Sequence, residues 1–333
     1  MKAAILKKPG MMSVQDVETP RAGPGEAVVK VSYCGICGSD LHSYGYDMAV
    51  GAILGHEPCG VIAEIGEGVT GWSVGQRVTP IPFQPCWQCF ECIHGRPHLC
   101  RNTLILGTIR MPGAYAEYIK VKASQLYATP DEITDQEAAL NEPLAVSLHA
   151  VLLSQMTVGS NVAIIGAGPI GLMAIQCARL AGAKGIFVAQ RSEPRASMAK
   201  KVGADVVINP AEKDFRREVR RLTGFGADVS FECVGSPEAF QMATRVIRPC
   251  GRVVLLGGSG PTEITPMELL RRELEIKGSL GYWTEFADGL DLLKLRKIKT
   301  EGMITRVVPL SDIQGIFSEM SRVRNHIKVL IAP

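Results

Sequence analysis

The stretch Asn161-Val162-Ala163-Ile164-Ile165-Gly166-Ala167-Gly168-Pro169-Ile170-Gly171 decides how this chain of 333 residues is read. Its apolar run, bounded by polar residues, reads as a buried parallel strand. The run opens into a G-x-G-x-x-G turn and then into Leu172-Met173-Ala174-Ile175-Gln176-Cys177-Ala178-Arg179-Leu180, a strong helix former. Gly166 permits the tight turn, Gly168 lets backbone approach a pyrophosphate, and Gly171 lets the helix pack close on the strand. Pro169 and Ile170 open the helix, whose free N–H groups and dipole hold phosphate. Glycine turns are common, but strand, turn and helix in this order point to a dinucleotide site.

Outward from that stretch, strand candidates recur at 161–165, 185–189, 205–208, 228–233, 252–256 and 274–280, with helical stretches between most of them. This rhythm predicts an α/β fold with a doubly wound parallel sheet. Upstream, residues 1–127 are short strands punctuated by glycine and proline, such as 27–33, 61–65 and 114–121, which predicts a mostly antiparallel β domain. Thr134-Asp135-Gln136-Glu137 is a capping box that starts a helix, and Pro143 restricts its continuation. Helical segments at 285–297 and 311–323 and a strand at 326–331 close the chain. The expected division is a domain of 1–145 with 284–333, around a dinucleotide-binding domain of 146–283.

Apolar residues make up 46% of the chain, enough for a sizeable core, and the formal charge of +3 is small and scattered. No Lys/Arg run suggests nucleic acid, and no apolar stretch reaches the ~18 residues of a membrane span. The start, Met1-Lys2-Ala3-Ala4-Ile5-Leu6-Lys7-Lys8, is too short and too charged for a signal peptide, so a cytoplasmic location is expected. In a reducing compartment, closely spaced cysteines favour metal over disulfides.

Cys86, Cys89, Cys92 and Cys100 place four thiols in fifteen residues, within a lobe of 85–101. Four sulfurs with no open position suit a closed tetrahedral zinc that staples a loop. An iron–sulfur cluster is the rival, but its fourth cysteine would follow after three residues and precede a proline. His94 and His98 are read as loop residues, not ligands.

Three further stretches carry candidate ligands: Cys34-Gly35-Ile36-Cys37-Gly38-Ser39-Asp40-Leu41-His42, Gly55-His56-Glu57 and Asn141-Glu142-Pro143-Leu144. Each is ordinary alone, and Cys34-x2-Cys37 reads equally as a redox pair. Together, ahead of a dinucleotide fold and flanking a four-cysteine lobe, they resemble the zinc-dependent medium-chain alcohol dehydrogenases, over nearly the whole chain. Glu142-Pro143 and Lys277-Gly278-Ser279-Leu280-Gly281-Tyr282 resemble the sorbitol and butanediol dehydrogenase branch.

The resemblance implies a Rossmann domain plus a GroES-like catalytic domain, and two Zn2+ per chain. By the family pattern Cys37 and His56 bind the catalytic zinc, with Glu57 or Glu142 as the carboxylate. Asp40 resembles an acid that orients the histidine ligand, and Cys34 is assigned to a strand end. One thiolate, one neutral imidazole and one carboxylate leave zinc neutral, and a second carboxylate would make the site anionic. One glutamate therefore acts through water or exchanges with the other. Ser39 and His42 match the family's hydroxyl–imidazole proton relay.

NAD-specific relatives end the second strand with an acid that binds the ribose 2′-hydroxyl. Gln190 stands there instead, followed by Arg191 and Arg195 near a helix start. Cations are disfavoured by the dipole at a helix start, so an anionic partner is more apt than two solvated arginines, and NADP(H) is expected. The implied reaction is hydride transfer between NADP(H) and a secondary alcohol, diol or polyol, or the matching ketone. A threonine dehydrogenase-like amino-alcohol oxidation and a non-catalytic NADP-binding protein are the alternatives. Tyr44, Phe83, Leu106 and Trp283 are expected to line a pocket for a small alcohol or ketone. A homo-oligomer is expected, a tetramer ahead of a dimer.

Overall fold

The computed structural model describes residues 1–258, 260–323 and 325–333. The chain forms two compact units, Met1–Glu142 with Phe286–Pro333, and Pro143–Glu285.

In Pro143–Glu285, six strands make one parallel sheet. Their spatial order is Val206–Ile208, Gly185–Ala189, Asn161–Ile165, Ala227–Glu232, Ile247–Leu255 and Glu275–Gly278. Counted along the chain this is 3-2-1-4-5-6, the doubly wound order that reverses beside the first strand. The apolar run does what its composition requires: Val162 to Ile165 are buried, and Ala163 and Ile165 pack with Phe187, Ala189 and Val253. Helix Pro169–Leu180 follows and buries Leu172 through Ala178. Gly166 turns with φ +93°, and a Cβ on Gly171 would lie 1.9 Å from the Gly166 carbonyl oxygen. No side chain fits there, so glycine is what lets the helix start against the strand. The strand at Ile247–Leu255 begins earlier than its apolar stretch, since the Arg248-Pro249-Cys250 turn signal hides the pairing of Ile247 with Ala227.

The other unit holds a seven-stranded sheet. Its strands run Ile304–Pro309, Lys328–Ala332, Glu26–Gly35, Glu57–Ile65, Arg77–Pro80 and Leu126–Ala128, with Tyr118–Lys122 also paired to Glu26–Gly35. All pairings are antiparallel except that of the first two. Glu26–Gly35 is the organising strand: Gly35 stands opposite both Glu57 and Leu330, which brings three distant segments to one sheet end.

Two expectations are corrected. Of the stretch 114–121, only Tyr118 onward pairs as strand; Ala114 and Tyr115 instead donate backbone bonds to Gly55 and Leu54. The capping box forms, with Glu137 N donating to Thr134 Oγ1, but it starts only the short helix Asp135–Ala138. Pro143 ends no helix: it lies in the first turn of Asn141–Leu153, where its missing N–H costs nothing.

Candidate metal centres and cofactor site

The four-cysteine lobe is built by two short helical turns, Phe90–Ile93 and Pro97–Leu99, that fold Cys100 back onto Cys86. Its sulfurs all lie within 4.8 Å of one another, with Cys100–Cys86 at 3.4 Å and Cys89–Cys92 at 3.5 Å. A tetrahedron with zinc–sulfur bonds of ~2.3 Å has edges near 3.8 Å, so a zinc ion fits. Backbone N–H groups of Gln88 and Cys89 pull the Cys86 thiol down to about 6, favouring thiolate. Burial and the neighbouring sulfurs push Cys92 up to about 12, so filling the site releases a proton there. His94 is exposed, its Nδ1 2.7 Å from the Phe90 carbonyl, and neither His94 nor His98 joins the cluster.

The second group is Cys37, His56 and Glu57, whose donor atoms also lie within 4.8 Å of one another. Cys37 precedes the helix Gly38–Tyr44 and His56 precedes the strand Glu57–Ile65, so both sit where the sheet end opens into loops. Asp40 sets their geometry. Its buried carboxylate accepts from Cys37 N at 2.9 Å, Gly55 N at 3.3 Å and Tyr115 Oη at 2.8 Å, and faces His56 Nδ1 at 3.4 Å. Burial raises the Asp40 pKa, but His56 and these donors outweigh it and hold the carboxylate below its usual range. Burial lowers His56, yet Asp40 and Cys37 together raise it. A metal would take the place of that proton on the imidazole nitrogen away from Asp40.

Glu57 is 1% exposed and carries both carboxylate oxygens on Lys328 Nζ, at 2.8 and 2.6 Å. A Cβ on Gly35 would lie 1.9 Å from Glu57 Oε2, so glycine opposite it makes the room. Lys328 also donates to the Ile36 carbonyl at 3.0 Å. Burial lowers its pKa, but Glu57, Cys37 and, more weakly, Glu142 raise it. Glu142 is buried and within electrostatic reach of this lysine, but is outside the close donor group. Cys34 is buried at the end of its strand and takes no part.

Ser39 and His42 are exposed on the helix Gly38–Tyr44, three apart and so on one face. No hydrogen bond joins them among the described residues, and the His42 ring packs on Tyr46 with centroids 4.5 Å apart. Tyr44 and Leu106, expected in a pocket, belong to the hydrophobic core at 5% and 1% exposure. Phe83 is half-buried in the small hairpin with Leu104–Ile105, and Trp283 N donates to Glu285 Oε2.

In the parallel-sheet unit, Gly168 leaves open space above the turn: the nearest atom to a Cβ placed there is Arg195 Nη1, at 3.8 Å. The Gln190 side-chain oxygen accepts from Ala167 N at 2.8 Å, which leaves its amide nitrogen as a donor. Arg191 is exposed and Arg195 half-buried. Between them Ser192 begins the helix Glu193–Lys201 without capping it, and its buried Oγ has no partner among the described residues. Gln190, Arg191, Ser192 and Arg195 thus bring an amide, two guanidinium groups and a hydroxyl into one short segment, donor types that could hold an anion. Sequence reasoning missed Ser192, as it missed Lys328 and Glu232. The buried Glu232 ends the adjacent strand, with Oε1 accepting from Val234 N and Gly235 N at 2.8 Å each. Val234 in turn packs over Gly166.

Two family models match the chain, an alcohol dehydrogenase GroES-like domain over residues 23–131 and a zinc-binding dehydrogenase over residues 169–294. Sorbitol dehydrogenase of Bacillus subtilis (strain 168) is 33% identical, covering all of this chain and 97% of its own length. L-threonine 3-dehydrogenase of Pyrococcus horikoshii is 40% identical over 92% of this chain and 90% of its own. Among solved structures, a chain from Sinorhizobium meliloti 1021, assigned as a zinc-binding dehydrogenase and bound to NADP, superposes with a TM-score of 0.94. It is 36% identical and covers 100% of this chain and 99% of its own.

Proposed function

The chain belongs to the zinc-dependent medium-chain alcohol dehydrogenases, in the branch of the sorbitol and butanediol enzymes, and from that premise we propose how its residues divide the work. It is a zinc-dependent oxidoreductase that moves a hydride between NADP(H) and a secondary alcohol, diol or polyol, or the matching ketone. The unit of Met1–Glu142 with Phe286–Pro333 carries both zinc sites, and Pro143–Glu285 carries the cofactor.

The observation that carries this reading is the clustering of Cys37, His56 and Glu57 donors around one point, apart from the four-sulfur lobe. When bound there, zinc supplies a Lewis acid that lowers the pKa of an alcohol or polarises a ketone, while the nicotinamide takes or gives the hydride. The protein's own part is positioning and charge. Asp40 holds His56 in one tautomer, with the other ring nitrogen left to the metal. Lys328 changes the charge count reached from the ligands alone. With one thiolate, two carboxylates, one ammonium and a divalent cation, the site is neutral even when Glu57 and Glu142 are both ionised. Glu142 then serves as the carboxylate ligand or exchanges with Glu57, whose charge Lys328 offsets. Ser39 and His42 pass the released proton to water along the exposed face of their helix.

Gln190, Arg191, Ser192 and Arg195 present only donors or hydroxyls toward the cofactor's ribose, which suits a 2′-phosphate. The cytoplasm and a homotetramer complete the proposal; no helix among the described residues is long and apolar enough to cross a membrane. A threonine dehydrogenase-like activity is the second reading, on the 40% identity to the Pyrococcus horikoshii enzyme. A panel of polyols, vicinal diols, L-threonine and their ketones, assayed with NADP(H) and NAD(H), tests both. Turnover of diols or polyols with NADP(H) is the expected result. A preference for L-threonine selects the second reading, and no turnover of any pair overturns both.

A further inference from the structure

Resting on that reading, we infer that Arg110 recognises an anionic group on the substrate, so that the alcohols this enzyme handles best carry a carboxylate or phosphate. A shallow cavity of about 290 Å³ in the zinc-bearing unit is lined by Met48, Thr103, Leu104, Ile105, Thr108, Ile109 and Arg110. Its walls continue the two elements that build the Cys37–His56 group. Met48 lies in the turn after the helix that Cys37 begins. The loop 103–113 is clamped on the residues leading into His56: Gly113 N donates to Ile53 O at 2.7 Å, and the next residue, Ala114, to Gly55 O at 2.9 Å. A Cβ on Gly107 would meet the Gly55 backbone at 3.1 Å, so the loop lies directly against it.

The lining is apolar but for one charge. The two threonine hydroxyls are turned to backbone, Thr103 Oγ1 donating to the Leu104 carbonyl at 3.2 Å and Thr108 Oγ1 to the Ile105 carbonyl at 2.8 Å. Arg110 is exposed and has no ion pair and no hydrogen-bonded acceptor among the described residues, as is also true of Arg96 and Arg322 of the same unit, but of the three only Arg110 lines this cavity. A guanidinium without a counter-ion, beside Leu104, Ile105 and Ile109, matches a short aliphatic chain that ends in a planar or tetrahedral oxyanion. Water solvates the exposed Arg110 when a neutral polyol binds, so only an acidic substrate gains a charge-assisted contact there.

The test compares matched pairs with NADP+ as oxidant: butane-2,3-diol against 3-hydroxybutyrate, and sorbitol against sorbitol 6-phosphate. The two acidic probes separate a carboxylate from a phosphate preference. Each acidic member should have the higher kcat/KM, through a lower KM. In Arg110→Met the acid-to-neutral ratio should fall by about tenfold, the loss of one charge-assisted contact. Arg110→Lys should restore part of it, and Lys8→Met, an exposed cation of the same unit outside the cavity, should leave the ratio at the wild-type value. Turnover of neutral alcohols with no acid preference, or a preference that survives Arg110→Met, overturns the inference alone. No turnover of either member of any pair overturns the dehydrogenase reading and this inference with it.

Discussion

Lys328 Nζ grips both oxygens of Glu57, at 2.6 and 2.8 Å, with each residue 1% exposed and 271 positions apart in the chain. A buried pair of this kind adds little stability over an apolar substitute, but breaking it from one side leaves an uncompensated charge. Lys328→Met should therefore destabilise the protein by about 3–5 kcal/mol in urea unfolding. Lys328→Met combined with Glu57→Gln should recover most of that loss. A double variant as unstable as the single one would show that the ion pair is not the cause.

In the proposed division of labour the four-cysteine lobe staples the fold and the Cys37 group acts on substrate, so removing each should read out differently. Cys89→Ala opens a closed site and should lower Tm by several degrees, with one zinc lost per chain. An unchanged Tm would mean that the lobe is not stapled by metal. His56→Ala should instead keep Tm within a few degrees while turnover disappears.

How much of this was legible beforehand depended on how far each interaction reaches along the chain. The glycine turn and the cysteine lobe are local: Gly166 to Gly171 and Cys86 to Cys100 lie within a few turns of backbone, and spacing alone exposes them. The Glu57–Lys328 pair joins two strands through a third, and Lys328 sits in an apolar strand with nothing nearby to mark it. Tyr115 likewise reaches Asp40 across 75 positions. Tyr44 and Leu106 were misplaced because an apolar residue close to a ligand in sequence can point either to the pocket or to the core; here Phe317 takes Tyr44 into the core, 5.3 Å between ring centroids. Ser192 escaped notice because its hydroxyl matters only once its lack of a cap bond is seen.

In the proposed cofactor site, cofactor choice follows from the donors around Gln190. Charge-assisted bonds to a 2′-phosphate are worth ~1.5–3 kcal/mol each before a discount for exposure. Arg191→Ala with Arg195→Ala should thus raise KM for NADPH about tenfold or more and barely move KM for NADH. Adding Gln190→Asp keeps an acceptor for Ala167 N but repels phosphate, and should invert the preference. A cofactor ratio unmoved by the double arginine variant would sink the assignment.

Acid should weaken one specific contact in the parallel-sheet unit. Burial raises the Glu285 pKa, but His149 Nδ1 at 2.9 Å and the backbone of Trp283 prevail and hold it down to about 2. A carboxylate depressed from 4.5 contributes stability that is full above that pH and lost as pH falls from 4.5 toward 2. The contribution is about 1–3 kcal/mol by linkage. Glu285→Gln should lower Tm at pH 7 and lose less further stability than wild type at pH 3. Parallel Tm losses in the two proteins between those pH values would contradict it.

The central claim is that Cys37 and His56, with a buried glutamate, hold the zinc that makes this chain an alcohol dehydrogenase. Metal content and NADP-linked alcohol turnover, measured on the same preparations of wild type and Cys37→Ala, test it most directly. Wild type should hold two zinc ions per chain and the variant one, with a fall in kcat/KM of about a thousandfold or more, the scale of losing a Lewis acid at the reacting oxygen. Wild-type turnover in a variant that has lost half its zinc would contradict it.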